Sequence, residues 1–342
     1  MPTKMKFAEL DYVEPGTPGS QYVAILEKPY SMKVASARIP EPEDDELRIK
    51  IKYVGICGSD LEAYRGIRKP EFISFPARLG HEVAGTIDKL GKNVKGLKVG
   101  QKVTCRYVWG AYAEYIVCKP FNVQVMPDEF DMIDISLIEI LPGVIHAAEL
   151  SKCDSGRTVL ITGQGVSGLM LTQVLSLYSP KALVVTDLKD RNLEFAKRYG
   201  ATHCYKIPSE DTPTMDVVGK DFPEGFDIVI PCLLEGVSVA DALSCTRTGG
   251  KIVLYGGIGT CKEPFDFFKV HRQRVEILST EPKRDIDMYR YFKEGISLVK
   301  DGILKTSEYI DKIYPLSRIQ EAFEERDDKK NDSIHIVIDV EK

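Results

Sequence analysis

The sequence contains no closely spaced cysteine pairs. No CxxC motif occurs, and the eight cysteines are scattered along the 342 residues. A disulfide framework or a zinc ribbon would need regular, close spacings, so both are excluded. Most of these thiols are expected to be small buried hydrophobic residues, as free cysteines usually are. The positions are Cys57, Cys105, Cys118, Cys153, Cys204, Cys232, Cys245 and Cys261.

Long uncharged apolar runs are also absent. The most apolar stretch, SLIEILPGVIHAAEL (136–150), contains two glutamates, whereas a membrane helix needs about 18 or more apolar residues. The first residues, MPTKMKFAELDYVEPG, include no apolar segment of the kind found in secretory signals. We therefore expect a cytoplasmic protein that does not span or bind a membrane.

Positive charge is not in surplus. The 46 Lys and Arg residues are outnumbered by 51 Asp and Glu residues, which gives a net charge of -5. Nucleic acid is not an expected partner, because binding its phosphates requires clustered basic residues. The length suits two domains of about 150 residues each, and a small molecule is the expected ligand.

Two sequence patterns divide the chain. Residues 22 to about 125 form short strand-like segments broken by glycine and proline, which predicts a β-rich, barrel-like domain. From about residue 155, apolar strands such as RTVLITG and ALVVTD alternate with helical segments, which predicts a doubly wound parallel sheet. The segment ALSCTRTGG (242–250) is predicted to be helical.

The last part of the sequence is more polar. A helix is predicted over MYRYFKEGISLVKDG (288–302) and a final strand over SIHIVIDV (333–340). Between them, the charge run EERDDKKNDS (324–333) is interpreted as a solvated loop without function.

A glycine-rich motif indicates a nucleotide site. In VLITGQGVSGLM (159–170), Gly163, Gly165 and Gly168 form GxGxxG between a predicted strand and a predicted helix. Such glycines permit a tight turn and the close approach of a pyrophosphate to the helix N-terminus. Asp187 ends the next predicted strand, where an acid that binds the ribose hydroxyls is expected.

This segment also has a plainer interpretation, in which the glycines are ordinary turn residues and Asp187 only caps the next helix. The order of strand, glycine loop, helix, strand and acid favours the nucleotide site. The Asp187 carboxylate would repel a 2′-phosphate, so NAD is favoured over NADP. Lys189 and Arg191 stand close enough to weaken that preference.

Possible metal ligands lie in the first half of the chain. Cys57 lies in VGICGSD (54–60), and GHE (80–82) supplies His81 and Glu82. Glu139 is surrounded by apolar residues in LIEIL, and burying a carboxylate there requires a positive partner. Cysteine, histidine and carboxylate are all zinc ligands. Taken singly, each residue is better explained without a metal. Cys57 would be core filler, His81 a hydrogen-bonded turn histidine, Glu82 a strand-edge charge and Glu139 a surface residue on an amphipathic helix.

Together these segments resemble the zinc-dependent medium-chain dehydrogenases. The resemblance rests on four segments that follow in order over nearly the whole chain: GICGSD (55–60), GHEVAGTIDKLGKNV (80–94), LIEILPGVIHA (137–147) and TGQGVSGL (162–169). Glu139 stands where many alcohol dehydrogenases carry a cysteine, which points to the sorbitol, glucose and threonine dehydrogenase branch.

The resemblance implies an α/β protein of two domains. A GroES-like β-barrel catalytic domain would span 1–141 and be completed by 283–342. A Rossmann domain with a doubly wound parallel sheet would span 142–282 and bind NAD. The predicted cofactor contacts are Gly163, Gly165, Val166, Ser167, Gly168, Asp187, Arg191, Gly256 and Ser279.

The resemblance also implies one catalytic zinc ion. Cys57 and His81 would hold it, and the remaining positions would go to Glu82, Glu139 and water, with either glutamate as a ligand. Asp60 would accept a hydrogen bond from the other ring nitrogen of His81, unless it only caps a helix. Ser59 would bond the substrate oxygen and pass its proton outward, unless it only bonds nearby backbone.

The chain departs from the family pattern at three places. TCRYVWGAYAEY (104–115) contains only Cys105 of the usual four cysteines, so no structural zinc is expected. Glu62 replaces a histidine of the proton path, and it either relays protons or faces solvent. Glu281 replaces an arginine of the sorbitol dehydrogenases. The candidate pocket residues are Tyr64, Trp109, Glu281 and Arg284.

The predicted reaction is the reversible oxidation of a secondary alcohol of a polyol, sugar or cyclitol, with hydride transfer to NAD. The alternatives are an amino-alcohol (threonine-type) dehydrogenase, a zinc-independent NAD(P)H reductase of the same fold, and a non-catalytic nucleotide-binding protein. A homodimer or homotetramer is expected, formed through the sheet edge near VEILST (275–280).

Overall fold

The computed structural model describes residues 10–69, 71–232, 238–256, 264–282 and 284–341, except for the side chains of Ser238 and Asp285. The chain divides into two compact units, Met1–Glu139 with Thr306–Lys342, and Ile140–Lys305. Each unit has its own buried apolar core.

Short strands dominate the first part of the first unit, as predicted. Their residues alternate between buried and exposed positions, as in LRIKIKYVG. The elements are β1 (Ser20–Lys28), β2 (Ser31–Arg38), β3 (Leu47–Gly55), α1 (Gly58–Tyr64), β4 (Glu82–Leu90), β5 (Lys102–Cys105), β6 (Tyr115–Cys118), β7 (Val123–Val125) and α2 (Met132–Ile135).

Strands and helices alternate in the second unit. Its elements are α3 (Leu141–Ser151), β8 (Thr158–Thr162), α4 (Val166–Ser176), β9 (Ala182–Asp187), α5 (Asp190–Arg198), β10 (His203–Lys206), α6 (Thr214–Val218), β11 (Phe226–Pro231), α7 (Ser238–Cys245), β12 (Thr246–Leu254), α8 (Phe267–Gln273), β13 (Glu276–Ser279) and α9 (Tyr289–Lys300).

The strands of the second unit form a parallel sheet. Within the described part of the chain their order is β10-β9-β8-β11-β12-β13. The inner strands β8, β9 and β11 are almost entirely buried, as parallel strands covered on both faces must be. The strand order reverses between β8 and β11, so the predicted doubly wound sheet is confirmed. β13 is an edge strand, and the homodimer or homotetramer stays a prediction.

The chain returns to the first unit through β14 (Ile310–Pro315), α10 (Ile319–Asp327) and β15 (His335–Asp339). Among the described residues, β1 and β2 form a hairpin, and a second sheet has the order β14-β15-β3-β4-β5-β7, with β6 also paired to β3. Gly55, at the end of β3, is opposite Glu82 of β4 and Val337 of β15. This register brings the residues around Cys57, Glu82 and His335 to one end of the sheet.

Two local expectations were wrong. The predicted helix over 242–250 ends at Cys245, and β12 begins at Thr246, because Thr246 pairs with Phe226 in the sheet and this pairing overrides local helix propensity. The charge run 324–333 is not simply a loop. Its first four residues belong to α10, which forms because Ile319, Ala322 and Phe323 bury one face of the helix.

The helix α9 lies in the second unit, although the sequence places residues 283–342 with the catalytic domain. Its Gly295 packs so closely on α3 that an added Cβ would lie 2.8 Å from Leu141 Cβ. The two functional domains predicted from the sequence stay predictions. In the described part of the chain, no helix combines the length and the apolar character needed to cross a membrane.

Candidate functional site

Cys57, His81 and Glu82 form a group of potential metal ligands in the first unit. Each offers a ligand atom, and these atoms lie within 4.8 Å of one another. Cys57 follows β3, and His81 directly precedes the neighbouring strand β4, so the antiparallel pairing of these strands brings the residues together. Glu82 is buried, whereas Cys57 and His81 keep some exposure. The group therefore has a protein side and a more open side.

Cys57 and His81 influence each other's ionisation. Burial and the charge of Glu82 raise the pKa of the Cys57 thiol, while His81 lowers it. Burial lowers the pKa of His81, but the negative charges of Cys57 and Asp60 outweigh burial and raise this pKa well above its usual value. A thiolate and a carboxylate beside one imidazole form a donor set suited to a divalent cation.

Asp60 ties the two ligand-bearing loops together. Its Oδ2 accepts hydrogen bonds from the Cys57 backbone N–H at 3.1 Å and from the Tyr112 hydroxyl at 3.0 Å. Its Oδ1 accepts from the Gly80 N–H at 3.0 Å. The His81 Nδ1 atom lies 3.7 Å from the same Oδ1, which is longer than a hydrogen bond. The predicted orienting bond to His81 therefore stays a prediction.

Glu139 has the positive partner that its burial requires. The Arg106 guanidinium donates to Glu139 Oε1 at 2.7 Å. Burial raises the pKa of Glu139, and the charge of Arg106 acts in the opposite direction. Glu139 does not belong to the group of ligand atoms within 4.8 Å of one another. Its role as a zinc ligand stays a prediction.

Glu62 and Arg68 lie beside the ligand group. The Arg68 Nη1 atom is 3.5 Å from Glu62 Oε2 and donates to the Ser59 backbone oxygen at 3.4 Å. The guanidinium lies over the ring of Trp109, 5.3 Å from its centroid, and the Trp109 and His81 ring centroids are 4.2 Å apart. The Glu62 side chain is only 12% exposed. It contacts Arg68 and does not simply face solvent.

The other pocket candidates are elsewhere. Tyr64 is buried, its ring centroid is 5.1 Å from that of Phe323, and its hydroxyl accepts from Gln320, so it belongs to the core of the first unit. Glu281 and Arg284 belong to the second unit and are exposed. Arg284 pairs with Asp287.

Arg68, Arg106, Arg326 and His335 were missed from the sequence. His335 Nε2 lies 3.2 Å from Glu82 Oε2, and both side chains are buried. The only local signal for His335 was a histidine in the otherwise apolar stretch IHIVI of the last strand. Arg326 lies in the charge run 324–333, which the sequence analysis interpreted as a solvated loop.

The glycine loop of the second unit has the geometry expected of a nucleotide site. Gly163 has φ +87°, which favours glycine. A Cβ on Gly168 would lie 2.0 Å from the Gly163 carbonyl oxygen, so only glycine permits this close packing. A Cβ on Gly165 would meet no atom within 4 Å, so open space adjoins the start of α4. Val166 and Ser167 begin that helix.

The other predicted cofactor residues lie near the same edge of the sheet. Asp187 ends β9, Ser279 ends β13, and Gly256 follows β12, so all three are at carboxyl ends of parallel strands. Asp187 accepts from the backbone N–H of Gln164 at 2.6 Å and that of Lys189 at 2.8 Å. These bonds join the acid to the glycine loop. Arg191 follows in α5. Ligands of such sheets bind at this edge.

Comparisons with known proteins agree with this geometry. Residues 43–128 match the family described as alcohol dehydrogenase GroES-like domain, and residues 167–294 match the zinc-binding dehydrogenase family. The chain is 28% identical to the sorbitol dehydrogenase of Bacillus subtilis (strain 168), over 94% of this chain and 98% of that protein.

Two further similarities come from Escherichia coli. An uncharacterized zinc-type alcohol dehydrogenase-like protein of strain K12 is 30% identical, over 93% of this chain and 98% of that protein. The crystal structure of an oxidoreductase/dehydrogenase of unknown specificity, involved in membrane biogenesis, has a TM-score of 0.80 at 28% identity and covers 94% of this chain and 99% of that one. The predicted GroES-like and Rossmann fold class is confirmed.

Proposed function

Because the chain belongs to the zinc-dependent medium-chain dehydrogenase family of oxidoreductases, we propose that it oxidises a secondary alcohol of a polyol, sugar or cyclitol to a ketone. The reaction is reversible and transfers hydride to NAD. The observation that carries the proposal is the group Cys57, His81 and Glu82, with ligand atoms within 4.8 Å of one another.

These three side chains are the proposed ligands of one zinc ion. Their sulfur, nitrogen and oxygen atoms are the donors that zinc binds in proteins. One thiol, one imidazole and one carboxylate with ligand atoms within 4.8 Å of one another therefore fit a bound cation. When bound, zinc supplies a Lewis acid that makes the substrate hydroxyl more acidic.

Ser59 is the proposed acceptor of the hydroxyl proton. It lies in the first turn of α1, two residues after Cys57. Arg68 donates to its backbone oxygen, and its hydroxyl has no hydrogen bond within the described part of the chain. The hydroxyl is therefore available to a substrate. Glu62 is the proposed next group of the proton path, and its contact with Arg68 keeps the carboxylate in place.

NAD is the proposed cofactor. The glycine loop and the start of α4 provide backbone N–H groups for a pyrophosphate. Asp187 is bonded to that loop through the Gln164 N–H, which fixes its carboxylate near the expected ribose position. A second negative charge from a 2′-phosphate would be repelled there, which supports NAD over NADP.

The substrate class follows from relatives that act on polyols. The Bacillus subtilis relative is a sorbitol dehydrogenase. The test is a screen of polyols, inositols, sugars and amino alcohols with NAD and, in parallel, with NADP, following the absorbance of the reduced cofactor. The zinc content of the purified protein is measured on the same sample.

The expected result is NAD-dependent oxidation of a polyol, sugar or cyclitol by protein that contains about one zinc ion per chain. Turnover of threonine-like amino alcohols alone would show that the substrates are amino alcohols and not polyols, sugars or cyclitols. Zinc-free protein that reduces activated double bonds with NADPH would overturn the zinc-dependent reaction. Nucleotide binding without turnover of any substrate would favour a non-catalytic role.

A further inference from the structure

Glu82 meets a buried histidine from a distant part of the chain. His335 Nε2 lies 3.2 Å from Glu82 Oε2, and the side chains are only 2% and 1% exposed. The two atoms lie at ion-pair distance but do not form a hydrogen bond, and neither atom has another hydrogen-bond partner in the described structure. Leaving two such polar atoms buried is costly unless they stabilise each other. Their contact is therefore a specific feature of the first unit.

Gly55 makes room for this contact. It lies in β3, opposite Glu82 on one side and Val337 of β15 on the other. A Cβ at Gly55 would lie 2.0 Å from Glu82 Oε2 and 2.6 Å from His335 Nε2. Any larger residue would have to displace one of the two side chains. The glycine that precedes the cysteine loop thus leaves the space in which carboxylate and imidazole meet.

Arg326 of α10 faces the same group. Its Nε atom is buried without a hydrogen bond. Burial lowers the pKa of Arg326, whereas the negative charges of Glu82 and Cys57 raise it, so this guanidinium lies within electrostatic reach of both residues.

We propose that His335 is a positioning residue that fixes the Glu82 carboxylate as a zinc ligand and thereby sets the zinc affinity of the protein. The inference rests on the proposed function, since it assumes that zinc binds at Cys57, His81 and Glu82. A ligand held by a second partner loses less freedom when the metal binds. Loss of such a partner typically weakens metal binding by about 10- to 100-fold.

The test compares His335→Leu and His335→Gln in the full-length protein. Zinc affinity is measured on metal-free protein by competition with a chromophoric chelator, and the absorption spectrum of the Co²⁺ form reports the geometry of the ligands. We expect His335→Leu to bind zinc about 10- to 100-fold more weakly and to shift the Co²⁺ bands. His335→Gln keeps a polar group and should recover part of the affinity.

Two controls separate positioning from a general loss of structure. His203→Gln makes the same kind of change at an exposed histidine of the second unit and should change neither readout. The His335→Leu substitution is also made in a Glu82→Gln background, where it should have little further effect on zinc affinity. Circular dichroism of the metal-free variants checks folding, and His335→Gln carries the test if His335→Leu does not fold.

Two results would overturn the inference and leave the proposed function intact. The first is an equal effect of His335→Leu on zinc affinity in the wild-type and Glu82→Gln backgrounds. The second is a folded His335→Leu variant with unchanged zinc affinity and an unchanged Co²⁺ spectrum. Wild-type protein that binds neither zinc nor Co²⁺ would overturn the proposed function and this inference with it.

Discussion

Arg106 donates to Glu139 at two points, since its Nη1 atom lies 2.7 Å from the Oε1 atom and 2.9 Å from the backbone oxygen of the same residue. Both side chains are mostly buried. The pair neutralises the carboxylate of LIEIL inside the protein. It also distinguishes Glu139 from Glu82, whose ion-pair partner in the described part of the chain is His335 and which lies in the group with Cys57 and His81.

The two glutamates should therefore differ in their effect on zinc. Glu82→Gln should weaken zinc binding by at least about 10-fold, because it changes a proposed direct ligand, whereas Glu139→Gln should weaken zinc binding by less than about 10-fold. The two substitutions remove the same charge with the same change of shape, so each is the control for the other. Chelator competition measures both, and equal losses would contradict the assignment.

Removing Arg106 should destabilise the first unit. Arg106→Ala leaves the Glu139 carboxylate buried without its partner, and breaking a buried pair in this way costs about 3 kcal/mol in free energy of unfolding. Adding Glu139→Gln should recover part of the loss. Trp109 is the single tryptophan of the chain and lies in this unit, so its fluorescence during urea unfolding reports the change. If the double variant Arg106→Ala/Glu139→Gln is as unstable as Arg106→Ala alone, the lost stability does not come from the buried Glu139 charge.

Gly168 and Gly165 should respond differently to alanine. Gly168→Ala would place a Cβ 2.0 Å from the Gly163 carbonyl oxygen, so it should destabilise the second unit and abolish NADH binding. Gly165→Ala meets no protein atom within 4 Å, and its φ is -69°, so the fold should be kept. It should still weaken NADH binding by narrowing the space for the pyrophosphate. Thermal unfolding and NADH fluorescence measure the two effects. Gly165→Ala protein with normal NADH affinity would place the cofactor elsewhere.

Asp187 should decide between the two nicotinamide cofactors. Asp187→Asn keeps an oxygen acceptor and removes the charge, so the affinity for NADP should rise relative to NAD by about 10-fold, or 1.4 kcal/mol. Asp190→Asn is the matched control, because its exposed carboxylate pairs with Lys206. The readout is the ratio of the dissociation constants for NADP and NAD. If Asp187→Asn and Asp190→Asn give the same ratio, Asp187 does not bind the ribose.

Glu325 should make the stability of the first unit dependent on acid pH. Burial raises its pKa, but hydrogen bonds from Lys312, Tyr314, Asn331 and Ser333 lower it to about 2, compared with about 4.3 for an unfolded glutamate. This stabilisation is complete above the unfolded pKa and is lost as the pH falls towards 2. Glu325→Gln should therefore cost about 2 kcal/mol at pH 7 and roughly half of that at pH 3. Urea unfolding at both pH values tests this, and a pH-independent cost would contradict it.

The fold of the glycine loop could be predicted because its determinants are local. Gly163, Gly165 and Gly168 lie within six residues, and the flanking apolar runs already predict a strand and a helix. The edge of the sheet at which Asp187 and Ser279 lie follows from the parallel order of the strands. For this loop and this sheet edge, the sequence pattern and the observed fold give the same positions of strand, loop and helix.

The surroundings of the proposed metal ligands could not be predicted in the same way. Cys57, His81 and Glu82 were found from their motifs, but Arg106 and His335 contact the two glutamates only because distant strands pair. The burial expected for Glu139 required a positively charged partner, but the sequence did not indicate which Lys or Arg residue this partner is. Arg326 and Glu325 were assigned to a solvated loop because a run of charges does not reveal which side chains α10 turns inward.

Because β3 and β15 lie far apart in the sequence, they can pair only late in biosynthesis. Glu82 and β4 are made early, whereas β15 leaves the ribosome only after the entire second unit has been synthesised. Until then, the part of β3 next to Cys57 has no strand at the edge that β15 later covers. The nascent first unit thus contains the proposed zinc ligands Cys57, His81 and Glu82 well before it contains His335. Metal that binds during translation would meet a Glu82 that has not yet acquired its partner.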